Sequence, residues 1–176
     1  MFRDASDLAP KEKFIAAMRE VASSVTVVTT DGHGGRHGAT VSAFSSVSAD
    51  PPTVLVCLFA QSRIAKAVEE NGTFCVNVLS EHGAEIADRF AGRHDDWVTD
   101  RFAGIDCYGA PGTAPQIDGA TAFRCGVQQT VRSGSHLIVL GDVRGVLVGG
   151  ARPLTYRDGC YHRVLPQSKP TSMTAT

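Results

Sequence analysis

The stretch His136-Leu137-Ile138-Val139-Leu140-Gly141-Asp142-Val143-Arg144-Gly145-Val146-Leu147-Val148 is a long strand-like run interrupted by two glycines. A glycine inside a strand marks a bulge or tight bend, as in a sheet that curls toward closure. The other apolar runs are shorter and equally strand-like. Val25 to Thr30 is β-branched throughout, Thr53 to Ala60 and Phe74 to Leu79 are apolar, and Phe123, Cys125 and Val127 alternate with Arg124, Gly126 and Gln128. Asp31-Gly32-His33-Gly34-Gly35 and Arg132-Ser133-Gly134-Ser135 supply turns, and Leu154-Thr155-Tyr156 and Cys160 to Arg163 form a last pair across Arg157-Asp158-Gly159. Strands joined at hairpin scale favour a mainly β, antiparallel barrel over a doubly wound parallel sheet.

Short helices decorate the connections. Pro10 with Phe14, Met18 and Val21 predicts an amphipathic helix that ends near Ser23. Ser62 caps a second through Ile64, Ala65 and Val68, closed by Asn71-Gly72. Ser80 is expected to cap a third, carrying Ile86, Ala87 and Phe90 on one face and stopped by Gly92. Residues 92–118 lack periodicity and read as a long irregular excursion, in which Asp95, Asp96 and Asp100 surround Trp97 as a solvated loop or a lid over a cleft.

Length and charge bound the function. A chain of 176 residues reads as one domain over 1–165, with a polar, Pro/Ser/Thr-rich tail over 166–176 expected to be disordered. Its 17 basic and 18 acidic residues nearly cancel, so no nucleic-acid or membrane partner is expected. Met1 to Asp7 has acids where a secretory signal needs positive charge, which points to the cytoplasm. The five cysteines are odd in number, dispersed and without a C-x-x-C pair, so they read as reduced thiols. His33 and His37 are four apart, but in a glycine-rich turn that spacing does not hold a metal, and no metal site is expected.

Neither a G-x-G-x-x-G after a strand nor a G-x-x-x-x-G-K-[ST] is present, so a nucleotide must be held by other means. From Gly38 to Ser48 the chain carries hydroxyls at Thr40, Ser42, Ser45, Ser46 and Ser48, then runs through Pro51-Pro52 into Val54-Leu55-Val56-Cys57-Leu58-Phe59-Ala60. Such donors suit a phosphorylated ligand, though an exposed β surface has the same pattern. Ser62-Arg63 adds a helix start and a guanidinium, a pairing suited to phosphate.

The segment from Gly38 to Leu58, together with Phe74-Cys75-Val76-Asn77-Val78-Leu79-Ser80, Arg89-Phe90-Ala91-Gly92, Gly134-Ser135-His136 and Gly141-Asp142-Val143, resembles the short-chain flavin reductases. These are the reductase components of two-component flavin monooxygenases, and the ordered match spans roughly residues 12 to 163. The resemblance implies a split barrel that forms a homodimer, binds FMN or FAD, takes NADH or NADPH as hydride donor, and passes reduced flavin to a separate flavin-dependent monooxygenase. Carried over by position, Thr40, Val41 and Ser42 border the isoalloxazine, Ser45, Ser46, Val47 and Ser48 reach the ring edge and ribityl-phosphate, and Ser62 and Arg63 bind the phosphate. Arg89 and Phe90 are expected to close over the flavin, and His136 to lie beside the nicotinamide. This chain has Ser135 where the family often has an acid before that histidine. Rival readings are a non-enzymatic FMN-binding or electron-carrying protein, a flavin-dependent reductase of a quinone or corrinoid, and an interaction module without flavin.

Overall fold

The computed structural model describes residues 8–167; Met1 to Asp7 and most of the expected tail, residues 168–176, lie outside them. The elements run α1(Lys11–Arg19), β1(Ser23–Ser24), β2(Thr26–Thr30), β3(His37–Val41), β4(Phe44–Ala49), β5(Pro52–Phe59), α2(Arg63–Asn71), β6(Thr73–Val78) and α3(Ala84–Phe90). After α3 come β7(Cys107–Tyr108), β8(Gln116–Ile117), β9(Thr121–Ser133), β10(His136–Leu147), β11(Leu154–Arg157) and β12(Cys160–Arg163).

Seven strands form one antiparallel sheet in the order β3-β2-β6-β9-β10-β5-β4. Its two edge strands, β3 and β4, are consecutive and joined only by Ser42-Ala43. An extended residue spans about 3.5 Å, so a two-residue link can join opposite edges only if the sheet rolls round to bring them together. No ladder joins β3 to β4, so the barrel stays open along that seam. The curling strand is β10, whose register against β9 shifts between Leu140 and Gly141 and again between Val143 and Gly145. Gly141 permits close approach there, because a Cβ would run into the ring of the fully buried Phe74.

Val28, Val56, Leu58, Phe74, Val76 and Val139 fill the barrel, and Ile64, Ala65 and Val68 of α2 cover one end of it. Helix α2 forms where its apolar spacing and signals predict: the Ser62 hydroxyl accepts from Ala65 N at 3.3 Å, and Gly72 takes φ 66° to end it. A second cluster, with Val27, Leu79, Ala87, Phe90, Phe102 and Leu154, lies on the other side of β2 beneath α3. Strand β2, covered on both sides, is buried at all five positions. Glu81 ties the β11–β12 hairpin down through Arg152 at 3.3 Å and Arg163 at 3.5 Å.

Three local expectations are corrected. The hydroxyl-rich stretch breaks at Ser42-Ala43, where Phe44 N donates to Ser42 O at 3.1 Å and the chain crosses from one sheet edge to the other. Helix α1 ends at Arg19, because Ser23 and Ser24 pair with Tyr156 and Thr155 of β11. Helix α3 starts at Ala84, since Ser80 is held in a bridge to Pro153 and its carbonyl accepts from Gly83 N at 2.8 Å.

The excursion over 92–118 is anchored at its far end by Asn77, which is fully buried. Its amide nitrogen donates to Val27 O at 3.0 Å and to the Thr29 hydroxyl at 3.1 Å, and its oxygen accepts from Ile117 N at 2.8 Å. Thr29 in turn donates to Pro115 O at 2.5 Å. Among the described residues no helix is long and apolar enough to cross a membrane.

Candidate functional site

The seam between β3 and β4 gathers most of the predicted residues. Strand β4 is an edge strand paired only with β5, so one row of its backbone groups has no partner strand. Ser45, Ser46 and Val47 are exposed on it, and the register shifts between Ser46 and Ser48, which turns Val47 out of the ladder. The hydroxyls are partly committed: Ser45 donates to Ser46 O at 3.1 Å and Ser48 to Asp50 O at 2.9 Å. Thr40 donates to Ala87 O of α3 at 2.6 Å, and Val41 packs against the barrel core. Ser42 is exposed in a groove with Phe14 and Met18 of α1 and Tyr156 of β11. What this seam offers a ligand is therefore chiefly backbone N–H and C=O from β4, with the Ser42 and Ser46 hydroxyls left over.

Strand β5 leads from β4 to the other pole. At its end Ser62 donates to Phe59 O at 2.6 Å while capping α2, and Arg63 stands exposed in the first turn. The first-turn N–H groups of α2 lack intrahelical acceptors, and with the helix dipole and the guanidinium they favour an anion. They open into a cavity of about 740 Å³ whose other walls include Arg36, His37, Asp95, Arg101 and Phe102. Arg101 is a wall support: it pairs with Asp95 at 2.5 Å and donates to Phe90 O at 3.0 Å. Through that hydrogen bond, Arg101 holds the Asp95 carboxyl below the usual carboxylate range, with Arg63 contributing at longer range. Asp95 and Asp100 thus belong to a wall of the cavity, whereas Trp97 is 70% exposed and stacks on His94.

His136 stands outside that cavity, at the start of β10 beside the end of β5. The two-residue turn Gly134-Ser135 returns β9 into β10, with Gly134 at φ 55°. His136 pairs with Phe59, its ring edge-on to that phenyl at 6.2 Å, and Ala60 N donates to Ser135 O at 3.0 Å. The same short segment that ends at Ser62-Arg63 therefore braces the histidine. Ser135 Oγ lies 2.9 Å from His136 Nδ1, where an acid's carboxylate is missing.

Arg89 and Phe90 lie elsewhere. Phe90 is 1% exposed and meets Phe102 edge-on at 4.9 Å, supporting β3 from behind. Arg89 faces a separate depression with His82, Glu85 and Asp106 and donates to Ala103 O. Neither lines the cavity beside Ser62. Gly38 is where the support is closest, because a Cβ there would come within 2.5 Å of the Phe90 ring and 3.2 Å of Phe102. Gly38→Ala is expected to lower stability by about 1–3 kcal/mol, the usual cost of overpacking. An unchanged melting temperature would show that the rings give way freely. The buried thiols Cys75 and Cys125 are no nucleophiles: burial pushes both up to about 12.

Sequence reasoning missed Arg36, Arg101 and Phe102. They sit before β3 and in the aperiodic excursion, where Phe102 packs under Arg36, 4.1 Å from guanidinium to ring centroid, and Arg101 is held by Asp95 and Phe90 O.

The chain matches the family described as Flavin reductase like domain over residues 18–165. It is 40% identical over 156 residues to the FMN reductase (NADH) RutF of Ancylobacter novellus, covering 88% of this chain and 85% of that protein. Among solved structures, nitrilotriacetate monooxygenase component B from Mycobacterium thermoresistibile superposes with a TM-score of 0.80 at 31% identity, covering 94% and 96% of the two chains. The NADH:FAD oxidoreductase SgcE6 of Streptomyces globisporus, in complex with NAD and FAD fragments, superposes at 0.81 with 27% identity over 96% and 99%. The open-seamed antiparallel barrel, the serine-bearing edge strand and the Ser62-Arg63 pole thus occur in a chain that belongs to the flavin reductase-like domain family.

Proposed function

We propose that the protein is an NADH-dependent flavin reductase that transfers hydride to FMN and supplies reduced flavin to a partner monooxygenase. The observation that carries this is the convergence on one strand, β5, of the serine-bearing edge, the Ser62-Arg63 anion pole and His136. Similarity to proteins named FMN reductase (NADH) and to a monooxygenase component supports the choice of donor, acceptor and partner.

The flavin supplies the hydride-accepting ring, so no strong general base is required of the protein. Each pole has a distinct task. Arg63, Ser62 and the first turn of α2 hold the phosphate, and Ser62 also holds the helix start in place. The free-edge backbone of residues 45–48 donates and accepts along the polar edge of the ring, with Thr40, Val41 and Ser42 forming the floor of the seam. Fixed N–H dipoles at that edge cost no reorganisation as charge grows there. His136, exposed at the start of β10 and edge-on to Phe59, positions the nicotinamide. Phe90 and Arg89 contribute from outside the cavity, by packing under β3 and by tethering the excursion at Ala103.

Ser135 sets the histidine's presentation, since a hydroxyl at 2.9 Å from Nδ1 favours one ring orientation. Ser135→Ala is expected to raise the KM for NADH a few-fold with FMN affinity unchanged, and Ser135→Thr to restore it. Steady-state kinetics at fixed FMN read this out, and an unaltered KM in Ser135→Ala would remove Ser135 from the account.

The active form is a homodimer. Helix α1 buries none of its residues within one chain, and Phe14, Ile15, Met18, Val146, Leu147 and Val148 stay exposed. A monomeric mass by light scattering would contradict this. The reductase works in the cytoplasm, where NADH and the monooxygenase are available. Anaerobic titration with FMN, then NADH, tests the activity: the flavin absorbance is expected to bleach, and persistence of oxidised flavin would favour a carrier.

A further inference from the structure

Strands β9 and β10 carry two exposed arginines that the flavin site does not use, Arg124 and Arg144, each lying across the neighbouring strand on a glycine. The Arg144 guanidinium sits where a Cβ on Gly126 would come within 2.2–2.5 Å of it, and the Arg124 guanidinium takes the equivalent place over Gly145, at 2.4–2.9 Å. Neither glycine has a positive φ, so what each supplies is room. Arg144 stands at the register shift between Val143 and Gly145, a bulge that releases its side chain to cross to β9. Gly145 pairs with Arg124, and Gly126 follows two residues on, so both guanidiniums lie on one face, their seats about 7 Å apart along the strand. That face is the outer one, since Cys125 between the two β9 positions belongs to the barrel core. Among the described residues neither arginine forms an ion pair, and Asp142, opposite Gly126, is beyond ion-pair distance of both. Two like charges are therefore held side by side on a flat sheet, an arrangement that repels itself and that a bound anion offsets.

We propose that the Arg124–Arg144 face docks an acidic segment of a protein partner, one that presents carboxylates at alternate positions of an extended chain. Alternate side chains of such a chain share a face and stand about 7 Å apart, the spacing of the two seats. A guanidinium can meet a carboxylate through two parallel hydrogen bonds, so cations fixed in place set the partner's register as well as matching its charge. Neither arginine lines the cavities beside Ser62, α1, α3 or Cys107, so the face is not shaped to enclose a small ligand, whereas arginine clusters are common receptors of acidic motifs. The proposal rests on the flavin reductase reading for its physiological meaning, in which the partner is the monooxygenase that takes the reduced flavin. Arg144 lies eight residues beyond His136 along β10, roughly 25 Å in an extended strand, so a partner docked there leaves the nicotinamide side open.

The experiment uses the full chain and a fluorescently labelled hexapeptide of alternating glutamate and threonine, its binding followed by anisotropy at low ionic strength. Wild-type protein is expected to bind the peptide, and Arg124→Gln and Arg144→Gln each to weaken that binding about tenfold, the effect of losing one charge-assisted contact. Gly126→Ala keeps both charges and displaces only the far end of Arg144, and is expected to weaken binding about threefold. NADH oxidation with FMN is expected to stay within about twofold in all of these variants. Should a glutamine variant fold poorly, Arg124→Lys and Arg144→Lys keep the charge, lose the planar fork and give the same comparison. Failure of the wild-type protein to bind, or undiminished binding by the double glutamine variant or by Gly126→Ala, overturns the proposal. Competition by inorganic phosphate at the peptide's own concentration overturns it in favour of a small-oxyanion site. A double variant that is monomeric where the wild type is dimeric assigns the face to a second copy of the chain and overturns it too. Peptide binding is read without turnover, so a protein that binds the peptide but reduces no flavin refutes the reductase reading and leaves the face standing, and one that reduces flavin but binds no peptide does the reverse.

Discussion

His136→Ala is expected to slow NADH oxidation by roughly 10- to 100-fold, the range associated with a misplaced reactant, while FMN affinity stays within about twofold. The separation follows from where the side chain stands. It is exposed at the start of β10, edge-on to Phe59, and outside the cavity that begins at Ser62. Loss of the imidazole removes no contact from the barrel core, so folding is spared and the deficit falls on the donor. Stopped-flow bleaching of protein-bound FMN by NADH separates the step from release of product. Undiminished bleaching, or a loss of FMN affinity matching the rate loss, would deny the histidine this role.

The largest stability effect is expected at Asn77. Asn77→Leu keeps the branching of the side chain but leaves Ile117 N and Val27 O, both held by the amide at 2.8 and 3.0 Å, without that partner in a fully buried place. Each orphaned group costs about 1–3 kcal/mol, so a loss of about 2–5 kcal/mol is expected by chemical denaturation. A functional consequence follows through the excursion. The Asn77 contacts hold residues 115–117 against the sheet, and the same excursion carries Arg101 and Phe102 to the cavity. Protein that remains folded is therefore expected to bind nucleotide more weakly. A loss below about 1 kcal/mol would mean that the freed groups find other partners.

The longer strands were legible through signals of their own, such as β-branching in β2, alternation in β9, and the glycines of β10, whose two register shifts fall at Gly141 and Gly145, whereas β1, β7 and β8, two residues each, are too short to carry a pattern. Helix α2 was legible at both ends, through Ser62 and Gly72. The break at Ser42-Ala43 was not, because hydroxyls continue on either side of it, and what separates β3 from β4 is that each pairs with a different strand. Ser80 has the chemistry of a cap, but a bridge to Pro153, over seventy residues on, claims its backbone. The site divides the same way. Ser62, Arg63 and the β4 serines stand on local signals, whereas Arg36 and Arg101 are set by the stack on Phe102 and the pair with Asp95, contacts no local pattern encodes. Phe90 carries the helical apolar spacing of a core residue, and that is the role its packing against Phe102 gives it.

The most direct test of the central claim is rapid anaerobic mixing of the protein, loaded with excess FMN, against NADH. The account predicts bleaching of more flavin than there are protein chains, at a rate that falls in His136→Ala and requires the phosphate that Arg63 holds. Bound FMN that stays oxidised in the presence of NADH would contradict it.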